Sequence, residues 1–374
     1  MKSQQREILV VFSDVDFSPQ LNSILQELHN RGANFAVVLI GNTQLKIAQQ
    51  IVNQGWDLRV IRERGKFGSA FSLLLITREI IQKRPRVLFA SGQFATVIGT
   101  LSARLLNIPR RITIRHHSNF HHKYKMKFGI LIDKLVNFLS TEIIAVSSTV
   151  KDILVSYEGV KAEKIVLIHN GVELSKFREL TINANGITYQ EKNNKEIFHI
   201  GVISRLTQWK GVEYIALAFV KLHREFPNFR LHIVGAFADS YSRVVEILSA
   251  IDNRFYTLEQ QNHNIPAFLH SLDVFVHVPI GPSDEAFGIV YIEALAAGIP
   301  CIFTCSGVLN ELDPPDRYAA IVEYANYEDI YANIKGLFLG TSNPKITVPD
   351  SWLNTFTVEV MAKSYSDLIL EAAN

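Results

Sequence analysis

The sequence predicts an α/β protein with two domains, each a parallel β-sheet covered on both faces by helices. Strand-like and helix-like segments alternate along the chain, which is the pattern of parallel strands joined by crossover helices. The segment Thr181–Lys195 interrupts this alternation with a stretch rich in Asn, Glu and Lys, and the alternation then starts again. A length of 374 residues suits two domains of ordinary size.

The first half of the chain contains seven short apolar segments with helical patterns between them. The predicted strands are Ile8–Phe12, Phe35–Ile40, Leu58–Ile61, Val87–Ala90, Arg111–Arg115, Glu142–Val146 and Ile165–Ile168. The predicted helices are Pro19–Arg31, Gln44–Asn53, Ala70–Lys83, Thr96–Leu106, Lys127–Leu139 and Val150–Tyr157. In the first helix, Leu21, Leu25 and Leu28 recur at helical spacing. Ligands of such sheets bind beyond the carboxyl ends of the strands, so the loops that follow strands are where function is expected.

The second half repeats the pattern. Its predicted strands are Phe198–Ile203, Phe229–Val234, Val274–Val278 and Cys301–Thr304. Its predicted helices are Gly211–Phe226, Tyr241–Ile251, Ile265–Leu272, Ile289–Ala297, Tyr327–Leu339 and Trp352–Ala373, with short segments at Val308–Leu312 and Ile321–Val322. The predicted organisation is a first domain over residues 1–180, a linker over 181–195 and a second domain over 196–356.

Composition limits the possible partners and cellular compartment of the protein. The net charge of +2 does not indicate a nucleic-acid partner, and no recognised nucleic-acid-binding module is present. The chain starts directly before a strand, with no apolar signal segment, and no run approaches the roughly 18 apolar residues that a membrane helix needs. The two cysteines, Cys301 and Cys305, are too far apart along a strand to form a disulfide with each other. These features predict a cytoplasmic protein with reduced thiols.

The stretch Pro282–Pro300 predicts a loop that runs into a buried helix. Two glutamates interrupt its apolar residues, Glu285 before the helix and Glu293 inside it. Eight residues of helix bring the direction back to within about 80°, so both carboxylates can lie on one side of the junction. A buried, charged Glu293 would be costly without a function, which argues against two incidental acids on an ordinary helix. Between them, the backbone N–H groups of Phe287 and Gly288 form a predicted phosphate site at a helix N-terminus.

A second motif opens the second domain, where the strand Phe198–Ile203 is followed by a loop that carries Arg205 and Lys210 ahead of a helix. Two cations beside a helix N-terminus are typical of a diphosphate site. The alternative interpretation is a solvated surface loop.

The two motifs together resemble signatures of retaining nucleotide-sugar glycosyltransferases, in particular family 4. Phe-Gly-Ile follows the first glutamate of the Glu-x7-Glu pattern, and Glu-Ala-Leu-Ala-x-Gly-x-Pro begins at the second. Gly201–Gly211 resembles the Gly-Arg-Leu-x-x-x-Lys-Gly element of these enzymes, with Ser204 in place of the more usual glycine. Ile168–Phe177 resembles their His-Asn-Gly-Val-Asp…Phe element, for which we expect a structural role.

This resemblance implies the GT-B fold, two Rossmann-like domains facing each other across a cleft, with a C-terminal helix at 357–374 that crosses back to the first, acceptor-side domain. It implies transfer of a sugar from a nucleotide diphosphate sugar to an acceptor hydroxyl with retention of configuration, without a metal or other cofactor. The setting implied is bacterial surface polysaccharide or glycolipid synthesis, with a glycan or lipid-linked sugar as acceptor.

The resemblance also assigns roles within the second, donor-binding domain. Glu285 would face the hexose, and Glu293 would bind the ribose hydroxyls. Arg205 and Lys210 would take the charge of the leaving diphosphate. Further donor contacts are expected from Gly235 and from the backbone around the first glutamate, at Ala286, Phe287, Gly288 and Ile289. The base and hexose would be recognised by loops around Gly235–Ala238 and Glu259–Asn264, which the sequence cannot decode.

A histidine pair, His116 and His117, follows the strand Arg111–Arg115 where the family often has a histidine near the donor sugar. Spacing does not choose between them, and we take His116 as the first candidate for catalysis. The basic and aromatic segment 110–128 around the pair predicts contact with an anionic acceptor or with the acidic face of a membrane, or else a solvated basic surface.

Some features depart from the family. The loop Ser13–Gln20 lacks the paired glycines usual near the donor phosphates, and its Asp14 and Asp16 indicate a metal only weakly. Two alternative functions stay open. A GT-B nucleotide-sugar epimerase would share the fold and need no acceptor, although its usual motifs differ from Glu285 and Glu293, and a non-catalytic nucleotide-binding scaffold is possible because the glycines are absent. A nicotinamide dehydrogenase is disfavoured, because no strand is followed by Gly-x-Gly-x-x-Gly.

Overall fold

The computed structural model of the chain describes residues 7–13, 18–62, 68–178, 197–235, 237–312, 314–342 and 348–373. Contacts divide the chain into two compact units, Met1–Gly171 with Val358–Asn374, and Val172–Thr357. Residues 172–178 group with the second unit because the Val172 N–H donates to the Phe356 carbonyl (2.8 Å) and His270 Nε2 lies 2.8 Å from the Phe177 carbonyl. The predicted linker at 181–195 and the predicted metal candidates Asp14 and Asp16 lie outside the described residues.

The first unit is a parallel sheet with helices on its faces. Its described strands are β1 (Ile8–Ser13), β2 (Phe35–Ile40), β3 (Leu58–Ile61), β4 (Val87–Ser91), β5 (Arg110–Arg115), β6 (Glu142–Ala145) and β7 (Ile165–Leu167). Its described helices are α1 (Pro19–Asn30), α2 (Lys46–Asn53), α3 (Gly68–Lys83), α4 (Gln93–Leu105), α5 (Phe120–Lys123), α6 (Lys127–Leu139), α7 (Ser148–Ser156) and the C-terminal helix described below. The seven strands pair in the order β3-β2-β1-β4-β5-β6-β7, all parallel.

Local chemistry explains these elements. β1 and β2 are buried along their whole length, as strands at the middle of a two-sided parallel sheet must be. Helix α1 begins where the Ser18 hydroxyl accepts the Leu21 N–H at 3.2 Å and Pro19 occupies the first turn.

The second unit repeats this architecture. Its described helices are α8 (Ser175–Arg178), α9 (Val212–Glu225), α10 (Tyr241–Leu248), α11 (Ile265–His270), α12 (Ile289–Ala296), α13 (Tyr327–Phe338) and α14 (Asp350–Leu353). Its described strands are β8 (Phe198–Ile203), β9 (Phe229–Val234), β10 (Tyr256–Glu259), β11 (Val274–His277), β12 (Cys301–Phe303) and β13 (Ala320–Ile321). They pair in parallel in the order β10-β9-β8-β11-β12-β13, which is the order of a dinucleotide-binding sheet. The strand order reverses between β8 and β11, and ligands of this fold bind beyond that switch point.

The C-terminal helix α15 (Val358–Ala373) belongs to the first unit, as the resemblance implies. Its Tyr365 ring packs edge-on against Phe89 of β4, with ring centroids 5.9 Å apart. Asp367 Oδ1 lies 2.5 Å from Nη1 of Arg31, just after α1. Gly171 fits closely against the start of α15, where a Cβ would come within 2.6 Å of Val358 Cα. The Asn-Gly element therefore packs against the start of α15.

Several predicted boundaries are wrong. The predicted helix Trp352–Ala373 is two helices, because extended backbone at Thr357 (ψ 152°) separates α14 from α15. The predicted segment Val308–Leu312 is a single 3₁₀ turn, Gly307–Glu311. Strand β10 and the short helices α5 and α8 were not predicted. Among the described residues, no helix has the length and apolar character needed to cross a membrane.

Candidate active site

The loops that leave β8 and β11 form the candidate site of the second unit. These strands are neighbours in the sheet, so their carboxyl ends deliver Arg205 and Lys210, from one loop, and Glu285, from the other, to the same edge. The Ile280 N–H donates to the Trp209 carbonyl at 3.1 Å and ties the two loops together. Residues 75 positions apart in sequence therefore meet, as an ion pair between Lys210 Nζ and Glu285 Oε1.

Two glycines allow this approach. Gly211 has φ 69°, and a Cβ there would lie 2.1 Å from the Val278 carbonyl oxygen at the exit of β11. Gly235, at the exit of β9, has φ 153°, and a Cβ there would lie 1.9 Å from the Ser204 carbonyl oxygen. No other residue fits either position without moving the Arg205–Lys210 loop. For Gly235, a predicted donor-binding residue, the observed contact is with this loop.

Glu285 is the most highly organised residue of the site. Glu285 is 8% exposed. Its Oε1 accepts hydrogen bonds from Lys210 Nζ and from His277 Nε2, the latter at 2.8 Å. Its backbone N–H donates to Ser306 Oγ at 2.9 Å, which fixes the loop from the exit of β12. Among the described residues, Oε2 has no hydrogen-bond partner. One carboxylate oxygen is thus held by the protein, and the other receives no hydrogen bond from the described residues.

The electrostatics keep this carboxylate ionised. Burial raises the pKa of Glu285, but the hydrogen bond from His277 and the charge of Lys210 outweigh burial and lower it to about 2. Burial lowers the pKa of His277, so that this histidine is neutral at neutral pH and donates through Nε2. An ionised Glu285 at neutral pH cannot act as a general acid; it can accept a hydrogen bond and stabilise positive charge.

Glu293, in α12, differs from Glu285 because its carboxyl has no partner in the part of the chain that the structure describes and its pKa is raised. The helix buries Tyr291, Ile292 and Leu295, as its apolar sequence predicts. The Glu293 carboxyl is partly buried and has no hydrogen-bond or ion-pair partner among the described residues. Burial raises its pKa to about 7. An unpartnered carboxyl of this kind is a candidate ligand group.

The backbone between the two glutamates forms the start of α12. Gly288 caps the helix with φ 84°, where a side chain would clash with the Tyr291 ring. Phe287 is buried, and its carbonyl accepts the Val308 N–H at 2.9 Å. Ala286 precedes it in the loop, and Ile289 is the first residue of the helix. Whether these N–H groups bind a ligand stays a prediction.

Arg205 differs from Lys210. It is exposed, and its guanidinium forms no ion pair with any residue that the structure describes. The diphosphate site predicted from these two cations therefore consists of one lysine already paired with Glu285 and one arginine that is available for a ligand.

In the first unit, His116 and His117 follow β5 in different environments. His116 is exposed, with Nε2 3.5 Å from Ser91 Oγ at the exit of β4. His117 Nε2 lies 3.3 Å from Asp133 Oδ1 and 3.4 Å from Arg115 Nη1. His117 is therefore engaged within the unit, whereas His116 is exposed to solvent. Partial desolvation by the surrounding protein and the neighbouring His117 nevertheless lower the pKa of His116 to about 4, so that this histidine is neutral at pH 7.

His117, His121 and Asp133 offer three ligand atoms within 4.8 Å of one another, a spacing that can hold a metal ion. However, Arg115 Nη1 lies 3.3 Å from Asp133 Oδ2, so a cation already balances this carboxylate and would repel another. Burial raises the pKa of Asp133, but the hydrogen bond from His117 and the charge of Arg115 lower it to about 2. The cluster is better described as an internal ion-pair network.

Several other cations of the segment 110–128 also have partners inside the unit. Arg110 pairs with Glu142 at 2.7 Å, and Arg115 pairs with Glu158 at 2.7 Å. Arg111 Nε donates to the Leu139 carbonyl at 2.7 Å. A surface contact of this segment with an acceptor or a membrane stays a prediction.

Sequence reasoning missed two residues of the second-unit site. His277 reads as the interior of an apolar strand, yet it is the last residue of β11 and contacts Glu285. Ser306 lies in the loop after β12. Their positions in the sequence were the available signal, because His277 is the last residue of β11 and Ser306 follows β12, the strand that pairs with β11.

Comparison with known proteins agrees with this architecture. The family model described as "Glycosyltransferase Family 4" matches residues 20–176, and that described as "Glycosyl transferases group 1" matches residues 187–342. The chain is 26% identical over 289 residues to the capsular polysaccharide biosynthesis glycosyltransferase CapM of Staphylococcus aureus, covering 74% of this chain and 73% of CapM.

Solved structures share the fold. The Anabaena HepE protein in complex with UDP superposes with a TM-score of 0.76 at 15% identity, over 98% of this chain and all (100%) of HepE. The UDP-GlcNAc 2-epimerase of Neisseria meningitidis superposes with a TM-score of 0.64 at 15% identity, over 97% of this chain and 99% of the epimerase. The predicted GT-B class, with two Rossmann-like domains, is thereby confirmed, and the fold alone does not separate a transferase from an epimerase. Since the two family models together match most of the sequence, the chain belongs to the group 1 glycosyltransferases of family 4.

Proposed function

We propose that this protein transfers a hexose from a nucleotide diphosphate sugar to an acceptor hydroxyl with retention of configuration. In this reaction the bond between the sugar C1 and the diphosphate breaks, and its electron pair leaves with the diphosphate. The acceptor hydroxyl bonds to C1 and gives its proton to the diphosphate oxygen that departs from C1. The second unit supplies the donor site, and no metal is needed because protein cations face the diphosphate.

The observation that carries this proposal is the environment of Glu285. Lys210 and His277 hold Oε1, and Oε2 is left without a partner among the described residues. A carboxylate with a pKa of about 2 stays ionised, so Oε2 can accept a hydrogen bond from a hexose hydroxyl. The same charge stabilises the positive character that the sugar ring gains as the diphosphate departs.

Arg205 and Lys210 stabilise the negative charge that develops on the leaving diphosphate. Both follow β8 at the switch point, beyond the carboxyl end of the sheet. The exposed guanidinium of Arg205 can bind a diphosphate in two-pronged fashion. Lys210 can share its charge between Glu285 and the phosphate, which couples the sugar side of the site to the leaving-group side.

Glu293 and the start of α12 complete the donor site. A carboxyl that is partly buried without a partner gains the hydrogen bonds it lacks when ribose hydroxyls bind. The N–H groups from Ala286 to Ile289, beside the capping Gly288, are the proposed backbone donors to the nucleotide sugar. Gly235 contributes by letting the Arg205 loop pack closely.

For the first unit we propose His116, and not His117, as the histidine that acts on substrate. Its ring is exposed, whereas His117 contacts Asp133 and Arg115. The acceptor proposed is a glycan or lipid-linked sugar in bacterial surface polysaccharide or glycolipid synthesis, which the similarity to CapM supports.

The test is a thermal-shift panel of UDP, GDP, ADP and dTDP and their sugars, without metal, on the wild type and Glu293→Ala. A ligand at about 100 times its dissociation constant stabilises by roughly 2.7 kcal/mol. The proposal expects one nucleotide class to shift the wild type and to lose its effect in the variant; the UDP complex of HepE makes UDP the first choice. If no nucleotide shifts the wild type, the donor site does not exist.

The panel's best ligand then separates the remaining alternatives. A nucleotide-sugar epimerase releases nucleotide and an inverted sugar at C2 with no acceptor present. A non-catalytic scaffold binds the nucleotide sugar and leaves it intact with every acceptor tried. Either outcome would replace the transferase proposal.

A further inference from the structure

Helix α6 of the first unit has its polar and apolar faces reversed. The residues it buries include Gly129, Asp133 and Asn137, which recur every four residues. On the opposite side, Phe128, Leu131, Leu135 and Phe138 are exposed by 76%, 63%, 40% and 75%. These four side chains fall within an arc of about 80° on a helical projection, centred opposite the buried face. We call them the α6 stripe.

The ion-pair network fixes this orientation. Asp133 pairs with Arg115 at 3.3 Å and with His121 at 2.6 Å, and Asn137 Oδ1 accepts from Arg115 Nη2 at 3.0 Å. The His121 ring fits so closely over Gly129 that a Cβ there would lie 2.6 Å from it. A rotation of the helix that buried the stripe would take Asp133 away from Arg115 and His121 and leave a buried carboxylate without its partners, so the stripe stays outside.

The surroundings of the stripe are basic. Lys127 and Lys134 lie beside it on the helix, and Lys125 precedes it; all three are exposed. Asp133, which is buried, is the only acidic residue between positions 120 and 139. Met126, 43% exposed, extends the apolar surface toward the start of the helix. A helix with an aromatic and leucine face flanked by lysines is typical of one that lies in the interface of a bilayer.

We propose that the α6 stripe docks the protein onto a membrane surface that contains anionic lipids. The aromatic and leucine side chains would enter the boundary between headgroups and acyl chains, and Lys125, Lys127 and Lys134 would contact the anionic headgroups. A symmetric dimer through the same face would bring the lysines of two copies together without acidic partners, which disfavours that occupant. The proposal is independent of glycosyl transfer.

The experiment is co-sedimentation with vesicles of pure phosphatidylcholine and of phosphatidylcholine with 30% phosphatidylglycerol. The full-length wild type is compared with Phe128→Gln/Phe138→Gln, with Lys125→Gln/Lys127→Gln/Lys134→Gln, and with a control, Val52→Gln/Leu339→Gln. Val52 and Leu339 are exposed by 61% and 52% but lie elsewhere on the surface. The thermal unfolding midpoint of each variant, measured without ligand, reports whether the fold is intact.

The wild type and the control should bind the anionic vesicles far better than the neutral ones, and binding should weaken at high salt. The phenylalanine variant should lose about 10-fold or more in partitioning. Loss of three lysines should cost about 100-fold, at roughly 5-fold per residue near an anionic surface. The proposal is overturned if the wild type ignores the anionic vesicles or if the phenylalanine variant binds like the control. It is also overturned if the wild type is a dimer that this variant dissociates, because the stripe is then a protein interface.

Discussion

Replacing Glu293 by glutamine should stabilise the free protein, increasingly so as the pH rises. The pKa of Glu293 is raised from 4.5 to about 7 by burial. Below pH 4.5 both folded and unfolded chains hold this proton, and nothing is lost. As the pH rises from 4.5 to 7, the unfolded chain releases the proton and the folded chain does not, so the free energy of unfolding falls. At about 1.36 kcal/mol per pKa unit, the full loss above pH 7 is about 3 kcal/mol.

Between pH 5 and pH 8 the carboxyl accounts for about 2.5 kcal/mol of that loss, and its partial access to water reduces the expected value to about 1–2.5 kcal/mol. The assay is urea unfolding of the wild type and Glu293→Gln at both pH values. The stability gap between them should grow by that amount at pH 8. Glu285→Gln is the matched control: the pKa of Glu285 is lowered to about 2, so its contribution is complete at pH 5 and the variant should be less stable by about 2–3 kcal/mol at both pH values.

A gap for Glu293→Gln that does not change between pH 5 and pH 8 would refute the reasoning, because Glu293 would then ionise normally in the folded protein. The same variant should weaken nucleotide binding at pH 8. Stabilisation together with lost affinity is the signature of a group held in an unfavourable state for a ligand.

Three further outcomes are expected. Arg205→Gln should lower nucleoside diphosphate affinity by about 10-fold in calorimetric titration and leave the Tm unchanged, since the side chain is exposed; a lowered Tm would mean that it has a structural role. Gly235→Ala should destabilise by about 2–4 kcal/mol because its Cβ meets Ser204, whereas Gly298→Ala, with φ 66° but open space, should cost only about 1 kcal/mol; equal costs in urea unfolding would contradict the close approach. Asp133→Asn should cost about 2–3 kcal/mol at pH 7, and the gap should close as the pH falls from 3.8 toward 2, the lowered pKa of Asp133; a gap that persists at pH 2 would exclude its electrostatic origin.

The sequence predicts the sheets well because strands buried on both faces are nearly continuous apolar runs, as in β1 and β2. The resemblance to family 4 also implies that Lys210 and Glu285 share a site, and the structure brings the two side chains together. The sequence does not reveal that they form an ion pair, because the closeness depends on Gly211 fitting against Val278.

The sequence does not reveal which charged side chains pair with each other when they are far apart along the chain. The arginines of segment 110–128 read as a surface patch, yet Arg115 pairs with Glu158, 43 positions away. Spacing could not rank His116 against His117, whose neighbours differ only in the folded chain. The bounds of α6 were predicted correctly, but only burial shows that Asp133 points inward and Phe128 outward.

The most direct test of the central claim is a proton NMR time course of nucleotide-sugar turnover, using the donor identified by the binding panel and water or an added acceptor. The account predicts that the first sugar product keeps the anomeric configuration of the donor, without added metal, and that Glu285→Gln abolishes turnover while nucleotide binding persists. A first product with the inverted configuration, or undiminished turnover in Glu285→Gln, would contradict it.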